Sequence, residues 1–230
     1  MRRNLSIFVC AVLLFAVVRS AMAGDVIDRI VVTVNGHIIL QSDWDDAIAY
    51  EAFIGGKPLQ QLTGEDRKAA LDRLVDQELL RQQMPANDPQ FELDEQTINA
   101  RLQELRKQSP EAETDQGWHG LLTRYNLSED DLKSHVVMQM KILRVIDEHL
   151  ASTIQIDDKN IEDYYNETFL PELRQKGTKE PLLTEVAPKI SELLFQQKLN
   201  GALKEWLQNL HDSSVIVMKV NPAPNGNSPK

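Results

Sequence analysis

The chain has 230 residues, 25 of them basic and 35 acidic, for a net charge of −10. This acidic balance argues against nucleic acid or an anionic membrane surface as a partner, since both call for basic patches. The one cysteine, Cys10, lies in an apolar leader, so the rest of the chain has no disulfide, thiol nucleophile or cysteine-ligated metal.

In chain order, the first feature is an export signal. Arg2 and Arg3 precede an almost wholly apolar run over residues 5–18, and Ala21-Met22-Ala23 supplies the small-x-small pattern of a cleavage site. The run is shorter than the ~20 apolar residues of a membrane span and meets Arg19 directly afterwards. Cleavage between Ala23 and Gly24 is expected. It removes Cys10 and three arginines, leaving 22 basic against 35 acidic residues, a net charge of −13.

The remaining chain opens with two β-branched runs around Asn35-Gly36, within 26–40. That dipeptide tolerates the positive φ of a tight turn, so the segment predicts a β-hairpin. Helices follow. Ser42 with Asp45 is read as an acidic capping box, and the helix it opens stops at Gly55-Gly56. Thr63 with Asp66 opens a second, with Leu71, Leu74, Val75 and Leu79 on one stripe and Pro85 beyond its end. A third begins near Asp94, turns Ile98, Leu102 and Leu105 inward, and stops before Pro110. Thr114 starts a short fourth helix. Ser128 with Asp131 caps a long fifth, with an inward stripe of Leu132, Val136, Met140, Leu143, Ile146 and Leu150. Asp157 caps a sixth that ends near Pro171. Residues 172–183 are polar and turn-rich and predict a connector. A long helix from Thr184 carries Pro188 in its first turn, and residues 215–220 predict a last strand. The proline- and asparagine-rich stretch 221–230 reads as a disordered tail. There is no internal repeat. The expected fold is mainly α, with a small antiparallel sheet formed by the N-terminal hairpin and the C-terminal strand, because a hairpin alone is marginal in water.

Catalytic motifs are absent from this pattern. The five histidines are scattered, and none has the i, i+4 partner of a zinc protease. There is no phosphate-binding glycine loop and no nucleophile elbow. The acid pairs lie at helix starts, where they complement the dipole. No cofactor, metal or catalytic residue is therefore expected.

Two groups of apolar residues are candidates for binding a polypeptide. Trp118, Leu121, Leu122 and Tyr125 gather on the short fourth helix. Val137, Met138 and Ile142 lie off the main stripe of the fifth, as they would on a helix apolar on two faces. Methionine suits a varied apolar ligand. Trp118, Leu122, Tyr125, Met138 and Ile142 are the resulting peptide-binding candidates, and ordinary core packing is the competing assignment for the same residues.

Several segments together resemble the SurA-like periplasmic chaperones. Residues 26–43 are similar to that family's mature N-terminus, with Val34-Asn35-Gly36, Ile38-Ile39 and Ser42-Asp43 the most recognisable part. The stretch 73–80 resembles its second helix. Ile154-Gln155-Ile156-Asp157-Asp158 and the Tyr164-Tyr165 pair resemble the segment before its isomerase domain, and 190–220 its C-terminal helix and strand. The likeness covers essentially the whole chain after residue 23. It departs from the family at 172–183, where a parvulin prolyl isomerase domain of ~90–100 residues would sit. The resemblance implies an N-terminal chaperone domain over 24–171, a connector over 172–183, and a helix and strand over 184–220 packing back on it. It further implies a periplasmic, ATP-independent holdase for unfolded outer-membrane or exported polypeptides, without isomerase activity. A degenerate prolyl isomerase and an adaptor for one envelope partner are the alternatives. The expected state is a monomer or a dimer swapping its C-terminal segment.

Overall fold

The computed structural model describes residues 28–85 and 91–219. The export signal with Ala23 and Gly24, the first hairpin residues Val26 and Ile27, and the last expected strand residue and tail over 220–230 lie outside the described residues.

Strands β1 (Ile30–Val34) and β2 (His37–Leu40) form the hairpin, and β3 (Ile216–Met218) adds to the other side of β1. The order is β2-β1-β3, all antiparallel, with Thr33 opposite both Ile38 and Val217. Asn35 and Gly36 hold φ of 51° and 84°, the left-handed turn that their residue types permit. The expected union of the two chain ends in one small sheet is present.

The helices are α1 (Gln41–Ile54), α2 (Gly64–Arg81), α3 (Glu95–Lys107), α4 (Asp115–Arg124), α5 (Glu129–His149), α6 (Asp158–Tyr164), α7 (Leu170–Gln175) and α8 (Leu183–Ser213). Thr63, Asp94, Thr114, Ser128 and Asp157 cap five of them through their side chains. Among the described residues no helix is long and apolar enough to cross a membrane.

Four local expectations change. Ser42 does not cap α1, which starts at Gln41 with Leu40 in the cap position, two residues earlier than expected. The Ser42 hydroxyl and amide instead donate to the Asp28 carboxylate, and Asp43 accepts the Leu40 amide at 2.8 Å. The sixth helix does not end at Pro171. A π-turn over Tyr165–Phe169, with the Leu170 amide donating to the Tyr165 carbonyl, carries the chain into α7. Pro171 then falls in a first turn, where its missing amide costs little, and the helix extends into the expected connector.

Pro188 falls in the second turn of α8 rather than its first, because α8 begins at Leu183, five residues before it. Leu143 is not an inward residue: it is 58% exposed, while Val145 is buried. Val145 follows Val136 by nine residues, about two and a half turns, so the buried face of α5 reverses along its length. His149 shares the Val145 face and stacks on Trp206 of α8, with ring centroids 4.3 Å apart.

Two cores result. One joins the sheet to α1 and α2 through Val32, Val34, Ile39, Trp44, Ile48 and Leu71. The other joins α3, α4 and α5 through Leu105, Trp118, Leu122, Leu132 and Val136, and Ala49 of α1 enters it from the opposite side. Helix α1 therefore contributes to both. The C-terminal helix is held along its length by polar ties. Lys198 donates to the Gln155 carbonyl and to Asn160, and the His211 ring meets the Asp76 carboxylate at 2.6 Å.

Candidate functional site

A cleft of about 630 Å³ lies where the two cores meet, between α1, α2, α3 and α5. Ala47 and Ala52 of α1 and Ala70 of α2 are among its lining residues, and Ile48, Leu74 and Leu105 complete an apolar floor. Ile54, the last residue of α1, stands at its edge and is 51% exposed.

The polar rim has two ion pairs. Arg73 holds Glu51 through two N–H groups, one of them at 2.7 Å, and the contact raises the guanidinium pKa above its usual value. Lys57 meets Asp66 at 2.6 Å, and Asp66 also closes the Thr63 capping box. The Lys57 and Thr63 bonds hold the Asp66 carboxyl well below the ordinary range. Both acids are engaged within the protein, and the lowered pKa of Asp66 makes that carboxylate a poor general base.

At the α5 side, the Tyr50 ring stacks on His135 at 4.4 Å with 13° between planes, and the Tyr50 hydroxyl donates to Gln139 at 3.2 Å. Burial pushes the phenol pKa up, and Arg101 partly offsets it. Burial also pushes the imidazole pKa down, against the pull of Asp46 and Asp131. Both rings are neutral at neutral pH, and they give the cleft an aromatic wall. Gln77, Gln108 and Gln139 add side-chain amides from three different helices. Each amide can donate and accept, as a polypeptide backbone requires.

No protein-family model matches the chain, and no curated protein matches it.

The residues expected to bind polypeptide do not line this cleft. Trp118 and Leu122 are 5% and 2% exposed and belong to the second core. Tyr125 packs against that core, edge-on to Phe53 at 5.7 Å. Met138 and Ile142 are half-buried on α5. Sequence periodicity marks Leu74 and Leu105 of the floor as stripe residues, but passes over the alanines that line the cleft beside them. The available signal was the set of those alanines on α1 and α2.

The histidines divide by role. His135 stacks in the cleft, His149 and His211 hold α8, and the His119 ring contacts the Asp115 carbonyl at 2.7 Å. His37 lies beside Arg81 and Glu78. Among the described residues, no three metal-ligating side chains gather in one place.

Proposed function

We propose that this protein is an ATP-independent holdase that binds extended, apolar-rich polypeptide in the cleft between α1, α2, α3 and α5. The observation that carries this reading is the cleft itself: an apolar floor and aromatic wall ringed by amide side chains from separate helices. Its volume falls in the ~300–1,000 Å³ range of ligand clefts. The floor would take apolar side chains of a client and the amides its backbone groups. No covalent step is involved, and micromolar affinity, about 8 kcal/mol, suffices to delay aggregation while allowing release.

The export-like N-terminus and the resemblance to SurA-like chaperones support clients among unfolded outer-membrane or other exported polypeptides. On this reading the protein acts in the periplasm, as a monomer or a swapped dimer, without prolyl isomerase activity. The test is light scattering by an unfolded outer-membrane protein diluted from denaturant, with and without residues 24–230. Suppression at stoichiometric amounts is expected, and undiminished aggregation at several-fold excess would overturn the proposal. A proline-isomerisation assay on a short peptide should show no catalysis. Equal binding to several unrelated clients would set it apart from an adaptor with one partner.

A further inference from the structure

We propose that the cleft prefers client segments in which an aspartate or glutamate side chain interrupts the apolar residues, and that Arg101 receives that carboxylate. The inference rests on the cleft being the polypeptide site. Its starting point is charge. The chain as a whole is strongly acidic at −10, yet the cleft lining carries Lys57, Arg73 and Arg101 against only Glu51 and Asp66. Lys57 and Arg73 are matched to those two acids across the cleft wall. Arg101 is the cation left over.

Arg101 does have a partner, Glu104, three residues on along α3 at 2.9 Å. That pair is weak by position: the side chains are 41% and 62% exposed, and Glu104 does not line the cleft. An exposed pair at this spacing is screened by water and contributes little. A client carboxylate entering the cleft would meet the same guanidinium in a less solvated place, where the bond is stronger. Exchange of Glu104 for the client is therefore favourable. Tyr50 and Arg101 line the same cleft, so the aromatic wall and the guanidinium face one bound segment together.

The carboxylate belongs to a side chain within the segment rather than to a chain end. Gln108 follows Arg101 by seven positions, so the two are ~10 Å apart along the helix. About three extended residues span that distance, so a segment anchored at Arg101 continues past it toward the next amide.

The test uses three labelled peptides with blocked ends, alternating apolar and polar residues, identical except for glutamate, glutamine or lysine at the centre. Fluorescence anisotropy with residues 24–230 at low salt should rank glutamate first, about tenfold tighter than glutamine, the size of one hydrogen bond to a charged group. Lysine should be weakest. The glutamate preference should shrink as salt is raised. Arg101→Gln should lower affinity for the glutamate peptide about tenfold and erase its advantage over glutamine. Arg101→Lys should restore part of that advantage. Equal binding of the glutamate and glutamine peptides, or a preference that survives Arg101→Gln, would overturn the inference while leaving the holdase reading intact. Binding of none of the three would remove both.

Discussion

Asn35 and Val215, 180 residues apart, are joined by two hydrogen bonds. The Asn35 amide donates to the Val215 carbonyl at 2.9 Å, and the Asn35 side-chain oxygen accepts the Val215 amide at 2.8 Å. The same side chain donates to Gln82 at the end of α2 and to Ser214 at the end of α8. One turn residue thus fastens the hairpin, α2, α8 and β3 together.

Asn35→Gly keeps the left-handed turn but loses the side-chain bonds, and should cost about 1–2 kcal/mol in denaturant unfolding. Asn35→Ala must also hold a positive φ, adding about 1 kcal/mol. The expected order is parent, glycine, alanine. A glycine variant as stable as the parent would reduce Asn35 to a turn former.

Gly117 and Gly120 lie on the same helix and should respond in opposite directions. A Cβ at Gly117 would stand 1.9 Å from the Glu111 carbonyl oxygen, so the backbone of the 3₁₀ turn Pro110–Glu113 must move. Gly117→Ala should destabilise by about 1–3 kcal/mol, as overpacking does. A Cβ at Gly120 meets nothing within 4 Å. Gly120→Ala should stabilise by about 0.5–1 kcal/mol through helix propensity. Thermal unfolding of the two variants checks both signs.

The His135 stack makes stability depend on pH. Burial lowers the pKa of this imidazole in the folded protein, so the unfolded chain takes up the proton first, near its ordinary value of about 6.5. The contribution of neutral His135 is complete above about pH 6.5 and is lost as pH falls from there toward the depressed folded value. His135→Phe can keep the stack on Tyr50 without titrating. Its unfolding free energy should fall less than the parent's between about pH 7.5 and 5.5. Parallel curves for the two proteins would contradict this.

Client binding should be sensitive at Ile54 rather than at Trp118. Ile54 stands half-exposed at the cleft edge, so Ile54→Gln should weaken client affinity roughly fivefold, for about 1 kcal/mol of lost apolar contact. Its stability should change by less than ~0.5 kcal/mol, as for most surface substitutions. A protein whose sole tryptophan is Trp118 should show no shift in emission on adding client. A shift would mean that the second core opens to polypeptide.

Elements that depend on local chemistry were legible in the sequence. Thr63, Asp94, Thr114, Ser128 and Asp157 cap the helices they announce, and Asn35-Gly36 turns the hairpin. What depends on a distant partner was not. Asp28 takes Ser42 from its expected cap, a bond across the base of the hairpin that no spacing rule contains. Leu143 keeps the helical period of Val136 but lies past the point where α5 changes the face it buries. The cleft was invisible for a related reason: alanine carries almost no hydrophobic signal, and an opening between helices is a property of pairs.

The pairing of β1 with β3 also fixes an order of events. A ribosome releases the hairpin early, but its second neighbour is the last strand to appear among the described residues. Until then the Val32 edge has open backbone groups, the kind of edge to which other chains add. Contacts of such long sequence separation form slowly. Pairing of β3 covers that long edge and leaves in its place one of only three residues, Ile216–Met218, the short kind of edge that other chains find hard to extend.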